Sequence, residues 1–146
     1  MKTTLDKATR EELIRRIEML NEGSTPRWGK MNAYQMVKHC SRWEEMALGH
    51  KTYKRMLMGY LFGKIALKDM LKDGPIKQNL PTVPSFKVTD SGDVTAEKAN
   101  WISLLREYDN TKIEIIVHPF FGKMTPEQTG ILDYKHADHH LKQFGC

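Results

Sequence analysis

Cysteine is scarce in this sequence: two residues, Cys40 and Cys146, among 146. One thiol inside a helical pattern and one at the terminus build no disulfide framework, which points to a reducing compartment. Long apolar runs are missing as well. Nothing approaches the roughly eighteen consecutive apolar residues of a membrane span, and residues 1–20 lack the apolar core of a secretion signal. A cytoplasmic protein with no membrane partner is therefore expected. There is no basic stripe interleaved with aromatics, although the formal net charge is +5. Lysines and arginines are scattered among acids along most of the chain, so no nucleic-acid partner is expected either. The positive balance suits solubility or a small anionic partner.

What is present is helical. Hydrophobic residues make up 40% and charged residues 28%, ordinary for a globular chain, and no linker divides residues 1–146, which read as a single domain. Leu13, Ile14, Ile17 and Leu20 recur at helical spacing and predict a first helix over 8–21, with Thr9 and Glu12 as a capping box. Asn32-Ala-Tyr-Gln35 is a second capping pattern, opening a helix over 32–49 whose stripe is Met36, Val37, Cys40, Trp43, Ala47 and Leu48. Residues 53–72 are rich in Met, Leu, Tyr and Phe. They read as an accessory helix or a broken pair, because Gly59 and Gly63 weaken it. The apolar surplus from Met56 to Met70 fits core packing, a pliable lid or a homodimer contact. Residues 72–94 form a long irregular connection of the kind that shapes binding sites. Another helix is predicted over 96–109, with Ala99, Ile102, Leu105 and Tyr108 facing inward. Lys112 to Val117 is β-branched but has no evident pairing partner, so an extended connection is expected, and His118, before a proline, reads as a loop residue.

The last helix, 125–144, is marked at both ends. Thr125 and Gln128 make a capping box, Pro126 fits the first helical position, and Gly145 closes the far end. Within it His136 and His140 lie one turn apart on one face, bordered by Leu132, Ala137, Leu141 and Phe144, close enough to share an ion. Neutral imidazole serves zinc, nickel, copper and iron alike. The same spacing also fits a pair of hydrogen-bonded, half-buried histidines. His39, near the apolar side of the second helix, is the natural third ligand, although a lone histidine there also fits a satisfied core residue. Three protein nitrogens and an open position form the pattern of an exchangeable or catalytic centre. His139 and His118 are candidates for orientation or proton transfer, and Asp133 and Asp138 for holding ligand imidazoles, although the position of Asp138 also fits a residue facing water. No carboxylate dyad or activated serine stands out, so an enzymatic reading rests on the metal.

Three stretches carry a resemblance: Met31-Asn-Ala-Tyr-Gln-Met-Val-Lys-His39, His118-Pro-Phe-Phe-Gly-Lys-Met-Thr125, and Tyr134-Lys-His-Ala-Asp-His-His-Leu-Lys-Gln-Phe-Gly145. The sequence resembles the DinB-like four-helix metal-binding superfamily, and within it an uncharacterised bacterial DinB-related family, over nearly its whole length. The resemblance implies an all-α four-helix bundle with a long crossover between bundle helices two and three, where the accessory helix falls. It implies a divalent metal (Zn, Ni or Fe) on His39, His136 and His140, with His139 outside the ligand set. It also implies a homodimer and an activity of the thiol-dependent transferase or isomerase type, acting on a small-molecule substrate with a low-molecular-weight thiol. The alternative is a non-catalytic metal- or ligand-binding helical module.

Overall fold

The computed structural model of the protein describes residues 1–146. The chain is mainly helical. Its elements are α1 (Lys7–Glu18), α2 (Ala33–Ala47), α3 (Leu57–Met70), α4 (Val94–Glu107), a short hairpin of β1 (Ile116–His118) and β2 (Gly122–Met124), and α5 (Pro126–Gln143), with one 3-10 turn at Pro84–Phe86. No helix is long and apolar enough to cross a membrane.

Helix starts follow side-chain caps. Asn32 and Gln35 form the expected capping box on α2, and Thr125 and Gln128 the one on α5. Each box satisfies two amide groups that the first turn leaves without partners. Gly145 has a φ of 82°, the left-handed conformation that ends α5 at little cost for a residue without Cβ. At α1 the expectation fails. Asp6 is the cap, accepting from the Thr9 amide at 3.0 Å, and the Thr9 hydroxyl donates to the same carboxylate at 2.7 Å. An aspartate upstream takes the place given to Thr9. Similarly, Asp93 caps α4 through the Ala96 amide, so that helix starts two residues before the predicted 96.

α4 and α5 each pack against both α1 and α2. The core between them unites Leu13, Ile14 and Ile17 of α1 with Met36, Val37 and Cys40 of α2, Trp101 and Leu105 of α4, and Ala137 and Leu141 of α5. Trp101 is fully buried whereas Ala99, expected inside, is exposed. The largest apolar side chain of α4 sets which face turns inward, because burying an indole removes far more apolar area from water than burying a methyl group.

In residues 53–124 one alternative is decided and one expectation is corrected. α3 is the single accessory helix, continuous rather than a broken pair. Gly59 and Gly63 are where it touches the hairpin: a Cβ at either would collide with the Phe120 carbonyl oxygen. That close approach overrides the weak helix propensity of glycine. The β-branched segment does find a partner. β1 pairs antiparallel with β2, Ile116 opposite Met124 and His118 opposite Gly122. The partner, Gly-Lys-Met, has no β-propensity pattern of its own, which is why the pairing escapes a propensity reading. His118 is thus the last residue of a strand, 2% exposed, rather than a loop residue.

Candidate metal centre

His39 of α2 and His136 and His140 of α5 come together: each offers a ring nitrogen, and these atoms all lie within 4.8 Å of one another. α2 and α5 present them across the core, with Trp43 packed on His136 at a centroid distance of 5.2 Å. His39 and His140 are buried and His136 is half-buried.

Two of the rings are held by partners that fix which nitrogen faces inward. His39 Nδ1 lies 3.0 Å from the Phe86 carbonyl oxygen. A carbonyl only accepts, so Nδ1 carries the proton and Nε2 keeps its lone pair. His140 Nδ1 lies 2.8 Å from Gln143 Oε1, which fixes the same tautomer, while Gln143 Nε2 donates to the Trp28 carbonyl at 2.7 Å. His39 Nε2 meets His136 Nε2 at 2.8 Å. With a bare lone pair on His39, that contact requires a proton on His136 Nε2. One exchangeable proton therefore stands where an ion would satisfy both lone pairs, and the third lone pair, on His140 Nε2, stands beside it.

Burial works in the same direction. Desolvation lowers the pKa of His39, and it lowers His136 well below the ordinary histidine value. His140 falls to about 3 through burial first and the neighbouring His39 second. All three imidazoles are neutral near pH 7, the form that coordinates. The donor set and its tautomers fit a divalent transition ion.

The expected orienting carboxylates do other work. Asp133 accepts from the Tyr108 hydroxyl at 3.0 Å, and Asp138 accepts from Arg16 at 2.9 Å and Lys142 at 2.7 Å. Neither holds one of the three converging imidazoles. Phe86 and Gln143 take that role, and sequence reasoning missed both. Gln143 had a signal, the three-residue offset from His140 on one helix. Replacing Gln143 by alanine is expected to weaken metal binding about 10–100-fold while leaving one ion per chain, measured by competition with a chelating dye.

His139 points elsewhere. Its ring meets Trp28 edge-on at 5.7 Å, and it lines a hollow of about 320 Å³ with Trp28, Lys77, Asp138 and Lys142 among others. His118 is outside the set of three. Its Nδ1 accepts from the amides of Phe120 and Phe121, each at 3.1 Å, so Nε2 bears the hydrogen. Burial, then the Arg55 charge, lowers His118 to about 3.

A carboxylate pair exists that the sequence did not reveal. Tyr108 lies 2.8 Å from Glu44 Oε2 and 3.0 Å from Asp133 Oδ2, and Trp101 Nε1 donates to Glu44 Oε1 at 3.2 Å. Glu44 and Asp133 are each 1% exposed. One phenol proton cannot serve two carboxylates, so a second, carboxylic proton belongs to the cluster. Burial first, then mutual repulsion, raises Glu44 well above the usual range; burial raises Asp133 to about 6.

A family model described as "Protein of unknown function (DUF1569)" matches residues 1–145. No curated protein and no solved structure matches the chain.

Proposed function

The chain belongs to the DUF1569 family, and we propose that it is a DinB-like metal-dependent enzyme of the thiol transferase or isomerase type. In this reading His39, His136 and His140 hold one divalent transition ion. The observation that carries it is the convergence of three neutral imidazoles within 4.8 Å, two of them locked with Nε2 inward by Phe86 and Gln143. The long connection between α3 and α4, which supplies Phe86, matches the crossover of that superfamily, and so does the placement of one histidine on α2 and a pair on α5.

An ion at such a centre acts as a Lewis acid, lowering the pKa of a bound water toward about 7 or keeping a thiol as thiolate. The chain's own groups supply orientation. His118, with its hydrogen fixed on Nε2 by the amides of Phe120 and Phe121 and a pKa of about 3, can offer a hydrogen to a substrate group but does not exchange protons near neutrality. His139 is the remaining proton-transfer candidate, and Lys77 and Lys142 beside it give an acidic thiol its counter-charge.

Protein purified without a histidine tag and analysed for zinc, nickel and iron is expected to carry one ion per chain. The loaded protein, screened with low-molecular-weight thiols and an electrophile, is expected to consume thiol. That activity should vanish in chelator-treated protein and in His140→Ala. One ion per chain with no turnover of any thiol would return the non-catalytic binding module instead.

A further inference from the structure

We infer that α3 is a membrane-surface helix, which lays its outer face on a bilayer rich in anionic headgroups. The inference is independent of the metal centre. α3 turns its two glycines inward: Gly59 and Gly63 are buried, with Leu67 one turn further on, and the Phe120 carbonyl sits where side chains of the two glycines would be. The helix therefore cannot roll to hide its large residues. Leu57 is 85%, Leu61 70%, Ile65 71% and Tyr60 69% exposed, with Met58 and Phe62 at least half exposed. At 100° per residue Leu57, Leu61 and Ile65 form one row and Met58 and Phe62 the next, a continuous apolar ridge over the first two and a half turns. Scattered surface leucines need no explanation, but a contiguous ridge of this size marks a contact surface.

Charge names the partner. Residues 51–77 hold seven basic and two acidic side chains, so the whole formal net charge of +5 resides there and the other residues balance. Lys64 and Lys68 are exposed on α3 itself. Phe62 and Ile65 share a shallow hollow with Lys68 and with Lys72, the latter paired with Asp69, so apolar and cationic groups meet along one line, as at the boundary between acyl chains and headgroups. Aromatic and aliphatic side chains with lysines that reach outward are the composition of an interfacial helix. Lys51 is paired with Glu45, but the remaining basic residues still outnumber the acids, and a second copy of the chain would set this cationic surplus against its own like. Clustered lysines beside an apolar face favour a negatively charged leaflet. The absence of a spanning helix is no obstacle, because a helix lying in the interface needs neither the length nor the uniform apolarity of a span.

The test uses the full chain and sedimented vesicles of phosphatidylcholine alone or with a third phosphatidylglycerol. Wild type is expected to partition onto the anionic vesicles at least tenfold more strongly than onto neutral ones, and to lose most of that binding when salt is raised from 50 to 500 mM. Leu61→Glu with Ile65→Glu, two exposed positions outside the metal centre, should reduce partitioning at least tenfold while the far-UV circular dichroism spectrum and thermal midpoint stay unchanged, which reports intact folding. Equal binding to both vesicle types overturns the proposal. So does absence of vesicle binding, whether light scattering then finds a monomer or a dimer that the double substitution dissociates; the latter outcome assigns the ridge to a second copy of the chain.

Discussion

Replacing His136 by alanine is expected to abolish stoichiometric metal binding, with an affinity loss greater than the about 10–100-fold that follows from removing an orienting partner. Three imidazoles converge, and only the two on α5 are joined by one turn of helix. His136 is the one that meets His39 across the core, at 2.8 Å. Its removal leaves His39 and His140 with a gap where the central ligand stood. His139→Ala should keep one ion per chain, because that ring faces Trp28 and is not among the three whose nitrogens converge. A second readout is thermal. Zinc at 100 times its dissociation constant stabilises a folded protein by about 2.7 kcal/mol, which for a chain of this size raises Tm by about 10 °C. Calorimetry with and without zinc should show that rise in wild type and in His139→Ala, and none in His136→Ala. An unchanged zinc-dependent rise in His136→Ala sinks the site.

The other large effect comes from the carboxyl pair. Glu44→Gln is expected to stabilise the protein at pH 8 and to do so little at pH 5, because burial first and the neighbouring Asp133 second raise the Glu44 pKa well above the usual carboxylate range. Glu44 and Asp133 have folded pKa values raised above their unfolded ones. Their contribution is therefore full below about pH 4, where both states are protonated, and is lost as pH rises through the folded values, about 6 for Asp133. Glutamine keeps the shape and remains neutral. Its oxygen can accept from Trp101, its amide can donate to the Tyr108 oxygen, and the Tyr108 proton is then free for Asp133. Histidine burial has the opposite sign. The depressed values of His140 and His118, about 3 each, contribute stability above pH 6.5 that is lost as pH falls toward 3. Denaturant titrations of metal-free wild type across pH 4–9 should thus show a maximum between these limbs. Glu44→Gln should flatten only the alkaline one, and an alkaline limb unaltered by Glu44→Gln would remove the pair as its cause.

Those two sites were unequally legible. The histidines could be read because two share one helix at a four-residue spacing and the third lies on an apolar stripe. Cap residues gave the start of α2 and of α5, since Asn32 with Gln35 and Thr125 with Gln128 are local signals. The carboxyl pair could not be read. Glu44 and Asp133 stand 64 and 25 residues from the Tyr108 that joins them, and each alone looks like a polar residue on a helix. Phe86 acts through its backbone carbonyl, which every residue possesses. Gly59 and Gly63 read as helix breakers because their cause, the Phe120 carbonyl, lies outside the helix. β2 was hidden for a related reason: a strand of three residues is defined by what it pairs with.

The crossover carbonyl that holds His39 has a kinetic side. His39 and His136 are separated by 97 residues in the sequence and His39 and Phe86 by 47. Contacts of such separation form only after much chain entropy has been lost. Neither half of the chain contains a complete centre, so an early collapsed species offers at most the two histidines of α5, with no opposing wall. In the proposed function, capture of an ion by the three histidines would then follow the docking of α2 on α5 and the settling of residues 72–94, and the ion would act as a latch on an assembled chain. Zinc should accordingly slow unfolding far more than it speeds refolding, leaving its mark on the unfolding limb of the chevron.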